Sequence, residues 1–316
     1  MKGIELARGY FEEYGLPMLK KDFPDLLPLL AAGFVGSGSE RYGFDDEISR
    51  DHDFEPGFCI FLPGEDAVSR RQAFLLERAY AKLPGEYGGA YRQPVAPVGG
   101  SRNGVLRTAE FYTRAVGAPN GDLTLGQWLH LPDHALAEAV NGEVYFDNYG
   151  EFTAIRERLL QMPEDVKRKR LAGELLIMAQ AGQYNFMRCL SHGEPEAAQL
   201  ACAEFVKAAM KVTFLLQNRY MPYYKWSFRA LRQLVGTAEL AGNLSFLLAG
   251  NNAAPDTAEQ KYLVIERICA DVIALLRENA LTDAVCGDLE KHAYSVNDKI
   301  TDGYIRNLHI LAAVKE

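Results

Sequence analysis

Six carboxylates crowd into residues 45–55: Asp45, Asp46, Glu47, Asp51, Asp53 and Glu55. Like charges this close repel one another, and a cation is the usual remedy. Asp51 and Asp53 stand two residues apart, so in an extended segment their side chains point the same way. Two carboxylates facing one direction suit Mg²⁺, which takes one or two protein carboxylates and completes its shell with water and substrate phosphates. A pair of such ions can clamp the attacking and leaving oxygens of a phosphoryl-type transfer. Upstream, Gly36-Ser37-Gly38-Ser39 supplies the complementary half: glycines let backbone N–H groups approach a phosphate, and serine hydroxyls add donors.

These residues need rigid supports. An apolar run leads into the Gly-Ser stretch, and the run Phe58–Leu62, stopped by Pro63-Gly64, reads as a buried strand. Val144–Phe146, between Asn141-Gly142 and Asp147-Asn148, reads as another. Segments 4–15, 66–82 and 133–140 have helical texture, and the Gly/Pro-rich stretch 84–104 reads as a long loop. Beyond residue 150 the periodicity is helical almost throughout. Asp256-Thr257-Ala258-Glu259 resembles a capping box, and Tyr262, Ile265, Ile268, Cys269, Val272, Leu275 and Leu276 after it share one face. Similar faces run through 200–216 and 228–248. The fold class expected is α+β: a small mixed-sheet domain over 1–155, then a bundle of about five helices over 156–316.

An apolar residue, Gly-Ser, a spacer of about a dozen residues and Asp-x-Asp resemble the signature of the polymerase-beta-type nucleotidyltransferases. The spacer has 13 residues counted from Gly36-Ser37 and 11 from Gly38-Ser39, and both fit. Residues 128–159, WLHLPDHALAEAVNGEVYFDNYGEFTAIRERL, and 218–234, NRYMPYYKWSFRALRQL, resemble a bacterial family of unassigned function in that superfamily, with an architecture similar to kanamycin nucleotidyltransferase. The resemblance implies that Asp51 and Asp53 hold catalytic Mg²⁺, and that Gly36, Ser37, Gly38 and Ser39 grip a nucleoside triphosphate, ATP foremost. It also implies a third carboxylate on a later strand; Glu110 is the first candidate and Asp147 the second, although the strand before Asp147 resembles the one that follows the third carboxylate. His52 stands between the aspartates where the family pattern has an apolar residue. The implied reaction is Mg²⁺-dependent transfer of a nucleoside monophosphate to a hydroxyl of a small molecule or protein. The alternative is a nucleotide-binding regulator or sensor that retains the fold without catalysis.

Other residues carry less chemistry. Lys167-Arg168-Lys169-Arg170 reads as a solvated helix face, with a patch facing triphosphate or an acidic partner as the alternative. Tyr220, Tyr223, Tyr224, Lys225 and Trp226 surround Pro222 as a joint between helices or as a cleft lining; the family resemblance favours the cleft for Lys225, near the phosphates. His130 and His134 have the spacing of helical metal ligands, but Pro132 separates them. There is no Gly-x-Ser-x-Gly elbow and no Walker-type loop.

Composition sets the outer limits. Lys and Arg number 34 against 42 Asp and Glu, a net charge of −8, which disfavours long nucleic acids as partners. Five cysteines without a CxxC pair fit reduced thiols on apolar faces. No stretch reaches the 18 or so apolar residues of a membrane span. A soluble cytoplasmic protein with no membrane partner is expected.

Overall fold

The computed structural model describes residues 1–51, 54–92, 102–252 and 254–314, and of Arg50, Asp51 and Pro255 the backbone alone. The chain divides into two compact units, Met1–Leu123 with His134–Gln161, and Thr124–Asp133 with Met162–Glu316. The first unit is mixed α and β and the second helical, as the α+β expectation requires.

The first unit is built on a four-stranded sheet of β1 (Ala31–Phe34), β2 (Cys59–Leu62), β5 (Gly104–Arg107) and β6 (Glu143–Asp147), in the order β5-β2-β1-β6. β1 is antiparallel to both β2 and β6, while β2 and β5 run parallel. Every residue of β1 and β2 is buried, which explains their unbroken apolar sequences. Alternation along β2 sends Ile60 and Leu62 into one core with Tyr10, Phe11, Phe58 and Leu76. Phe61 faces the other way and stacks on Phe152 at 4.1 Å between ring centroids. That contact, with buried Ile155 and Leu159, keeps the helix Glu151–Leu160 in the first unit, beyond the break expected at residue 155.

The stretch read as a loop over 84–104 contains a short hairpin, β3 (Glu86–Tyr87) and β4 (Ala90–Tyr91). Residues 93–101 lie outside the described residues. Segment 105–111 is strand only to Arg107, and the helix Thr108–Val116 follows without a gap.

The second unit packs the helices Glu164–Met178, Pro195–Leu216, Ala238–Ala249, Pro255–Glu278 and Leu289–Asp298 around one apolar core, with shorter helices between them. The first continues through a π-helical stretch, Ala179–Phe186, into Met187–Ser191. The face expected on Pro255–Glu278 is present: Ile265, Ile268, Cys269, Val272 and Leu276 are buried, whereas Leu275 is 45% exposed. Its start differs from the expected capping box. Pro255 takes the first helical position, where its missing N–H costs nothing, and no side chain caps the end. The single face drawn over 228–248 is two helices, Tyr224–Leu231 and Ala238–Ala249. The Thr237 hydroxyl donates to the Leu231 and Leu234 carbonyls and closes the first of them.

Candidate functional site

β1 leads into the Gly-Ser stretch, and the backbone turns at once. Gly36 has φ +103° and Gly38 φ +126°, conformations that a side chain resists. A 3₁₀ turn, Ser39–Tyr42, follows. The Val35 carbonyl accepts from Arg41 Nε at 2.7 Å. The Gly36 N–H donates to Asn141 Oδ1 at 2.8 Å, and Asn141 Nδ2 donates back to the Gly36 carbonyl at 2.7 Å. Among the described residues no acceptor meets the backbone N–H groups of Ser37, Gly38 or Ser39. The structure thus gathers all four predicted turn residues into one loop, with the Glu40 carboxylate packed against buried Gly38.

Arg41 is the brace of this loop. It is 2% exposed, with Glu40 beside it at 7% as its ion partner. Its guanidinium also reaches Asn103 Oδ1 at 2.9 Å and the Arg102 carbonyl at 3.2 Å, and lies 4.3 Å from the Phe34 ring centroid. Asn103 in turn donates to Glu55 at 3.2 Å. One buried cation therefore links the Gly-Ser turn, the start of β5 and the segment entering β2.

The acid cluster has several duties. Asp45 is buried, and its Oδ2 accepts from the Gly3 N–H at 2.9 Å, at the positive end of the helix Gly3–Tyr10. Asp46 accepts from the Ser49 amide at 3.0 Å and hydroxyl at 2.8 Å. Asp51 ends a 3₁₀ turn, Ile48–Asp51, so the extended backbone considered for the pair does not hold at Asp51. The Asp51 side chain, His52 and Asp53 lie outside the described residues.

The sheet register fixes which end of the first unit each candidate occupies. Gly33 pairs with Cys59, Cys59 with Gly104 and Phe34 with Glu143. The end of β1 and the starts of β2, β5 and β6 therefore meet at the Gly-Ser turn. Asp147 pairs with Ala31 and Arg107 with Leu62, at the opposite end, about 10 Å away for a four-residue strand. Glu110 follows Arg107 as an exposed residue in the first turn of Thr108–Val116, on a helix and not on the strand expected. Asp147 accepts from the Gly150 and Thr153 amides at 2.8 and 2.7 Å, capping the helix Glu151–Leu160. Neither third-carboxylate candidate is brought to the turn.

A different carboxylate, that of Glu138, feels the charges of Arg41 and Arg102. Glu138 lies in the helix Asp133–Val140, three residues before Asn141. Burial pushes its carboxyl above the usual range, against the opposing pull of His134, Arg102 and Arg41. The sequence signal was available in the His134/Glu138 spacing beside Asn141-Gly142, but His134 was paired with His130 instead. Those two histidines fall on separate helices, Leu125–His130 and Asp133–Val140.

In the second unit, the basic run departs from the solvated face expected of it at two of its four residues, Lys169 and Arg170. Lys169 is fully buried, and its ammonium donates to Asn297 Oδ1 at 2.8 Å and to the Arg306 and Leu308 carbonyls at 3.3 and 2.6 Å. Arg170 holds Asp133 at 2.6 Å and the Leu131 carbonyl, which ties Thr124–Asp133 into this unit. Lys167 reaches Asn218 and Arg168 reaches Asp165. Helical periodicity carries Lys169 and Arg170 inward, where they serve as internal tethers, and leaves Lys167 and Arg168 partly exposed. Lys225 is exposed on the helix Tyr224–Leu231, with Nζ 5.1 Å from the Trp226 ring centroid. Tyr223 and Tyr224, 40% and 72% exposed, contact each other at 4.5 Å.

Among the described residues no group of three or more His, Cys, Asp or Glu is arranged to hold a metal ion, and no helix is long and apolar enough to cross a membrane. Comparison with curated proteins gives no match, and comparison with solved structures gives none either. Residues 128–227, which span the end of the first unit and the start of the bundle, are similar to the family described as "Domain of unknown function (DUF4037)".

Proposed function

We propose that the first unit is a Mg²⁺-dependent nucleotidyltransferase of the polymerase-beta type, moving a nucleoside monophosphate from a nucleoside triphosphate to a hydroxyl of a small molecule or a protein. One observation carries the reading. The glycine turn, in which three amides meet no acceptor among the described residues, leaves β1 at the sheet end where the acid-bearing segment returns into β2. In this reading the amides of Ser37, Gly38 and Ser39 and the serine hydroxyls hold the phosphates. Asp51 and Asp53 would hold Mg²⁺, for which a pair of carboxylates is a fitting donor set; the ion supplies charge neutralisation during transfer. Glu138 takes the acceptor's proton in place of Glu110 and Asp147, since a carboxyl raised by burial is a stronger base nearer neutrality. The acidic composition favours a small or protein acceptor over a long nucleic acid.

The far-end positions of Glu110 and Asp147 support a second reading, a nucleotide-binding sensor without transfer. Titration of ATP, GTP, CTP and UTP with and without Mg²⁺, beside the double variant Asp51→Ala/Asp53→Ala, tests the site. Metal-dependent binding lost in the variant is expected; no binding of any triphosphate would overturn both readings. Label from a triphosphate remaining in unmodified nucleotide after incubation with a cell lysate would favour the sensor.

A further inference from the structure

We infer that Asn141 is a positioning residue for the phosphate-holding turn, fixing the Val35–Gly36 peptide jointly with Arg41 before any ligand arrives. The inference rests on the reading of that turn given above, and it goes further by assigning a specific role to a residue 105 positions away in sequence. The Val35–Gly36 peptide is gripped on both edges. Its carbonyl accepts from Arg41 at 2.7 Å, and its N–H donates to Asn141 at 2.8 Å. The same carboxamide donates to the next carbonyl, that of Gly36, at 2.7 Å. Asn141 thus meets both the N–H and the C=O of one residue, as a neighbouring strand would. A carboxamide can do this, whereas a carboxylate can only accept and a methyl group does neither. Asn141 is itself anchored, since its own carbonyl accepts from Arg156 Nη1 at 2.7 Å.

The consequence falls on the next three residues. With Gly36 held at φ +103°, the amides of Ser37, Gly38 and Ser39 are left in place as donors instead of having to be ordered when the anion binds. Asn141 need not touch the phosphates to affect their affinity.

The test is the dissociation constant for inorganic tripolyphosphate and for ATP with Mg²⁺, measured well below the melting temperature of each protein. Asn141→Ala should weaken both by about tenfold, the usual scale for losing a buried hydrogen-bonding partner. Asn148→Ala is the control: it loses one comparable bond, to the Leu27 carbonyl at 2.9 Å, at the other end of the sheet, and should bind as the parent does. Asn141→Asp is nearly isosteric, keeps the acceptor and loses the donor, so it should also bind more weakly even if the alanine variant fails to fold. Parent-like affinity in either Asn141 variant would overturn the role of Asn141 alone. A parent protein that binds no polyphosphate would overturn the phosphate reading of the turn, and this inference with it.

Discussion

Arg41 Nη2 lies 2.9 Å from Asn103 Oδ1, and this hydrogen bond joins the turn after β1 to the residue that precedes β5. The two strands are not neighbours, because β2 runs between them. A charged group buried this deeply is tolerated because each side of it is occupied: Glu40 neutralises it, two carbonyls and Asn103 accept from it, and Phe34 covers its face.

Arg41→Met should therefore cost about 3 kcal/mol of stability, since it leaves Glu40 buried without its counter-charge. Adding Glu40→Gln should recover part of that loss. Urea midpoints of the parent, both single variants and the double variant measure the coupling; additive single effects would remove the ion pair from the account.

Asp165 gives a pH-dependent stability of one sign. Burial pushes its carboxyl up, but the Thr301 hydroxyl at 2.6 Å, the Asp302 and Thr301 amides at 2.8 and 3.1 Å, and Arg168 at 3.1 Å outweigh it and hold the group below the ordinary aspartate value. A lowered carboxyl stabilises the fold above its unfolded value and loses that contribution as pH falls through the folded one. Asp165→Asn should lower stability at pH 7 by about 1 kcal/mol, from the weakened hydrogen bonds. The gap to the parent should close in acid, which melting curves from pH 7 to pH 3 can follow.

Glu138 should behave in the opposite way. Its carboxyl is raised by burial, so its contribution is fully present below the ordinary glutamate value and is lost as pH climbs through the raised one. Glu138→Gln should match the parent near pH 4 and be the more stable protein at pH 8. If Glu138 is the base for transfer, the same variant should also lose the rise of the turnover rate with pH while keeping its affinity for triphosphate.

Much of the core of the first unit was legible because burial on both faces leaves an unbroken apolar run at Cys59–Leu62, while Val144–Phe146, half-buried at the sheet edge, is marked by the turn residues on either side. The Gly-Ser loop was legible for a related reason, since its two glycines take up backbone angles that other residues resist. The helical setting of Glu110 was not legible, because Val105-Leu106-Arg107 continues into Thr108 without a proline or glycine to mark where β5 gives way to a helix. The burial of Lys169 and Arg170 was hidden for another reason. Composition reports that a residue is charged, but not that Asn297, Arg306, Leu308 and Asp133 lie waiting to receive it. Asn141, the residue that clamps the turn, gave no local sign, because its partner is remote in the chain.

Lys169 carries a last consequence. Its ammonium has three oxygen acceptors and no carboxylate among them, so it is held much as a bound monovalent cation would be, with Asn297, Arg306 and Leu308 as its coordination shell. The C-terminal segment is in that sense a ligand that arrives on the same chain. Cutting it away before Arg306 would remove two of three oxygens from an ammonium that is fully buried in the intact chain, and the bundle would respond as a metalloprotein does to a chelator.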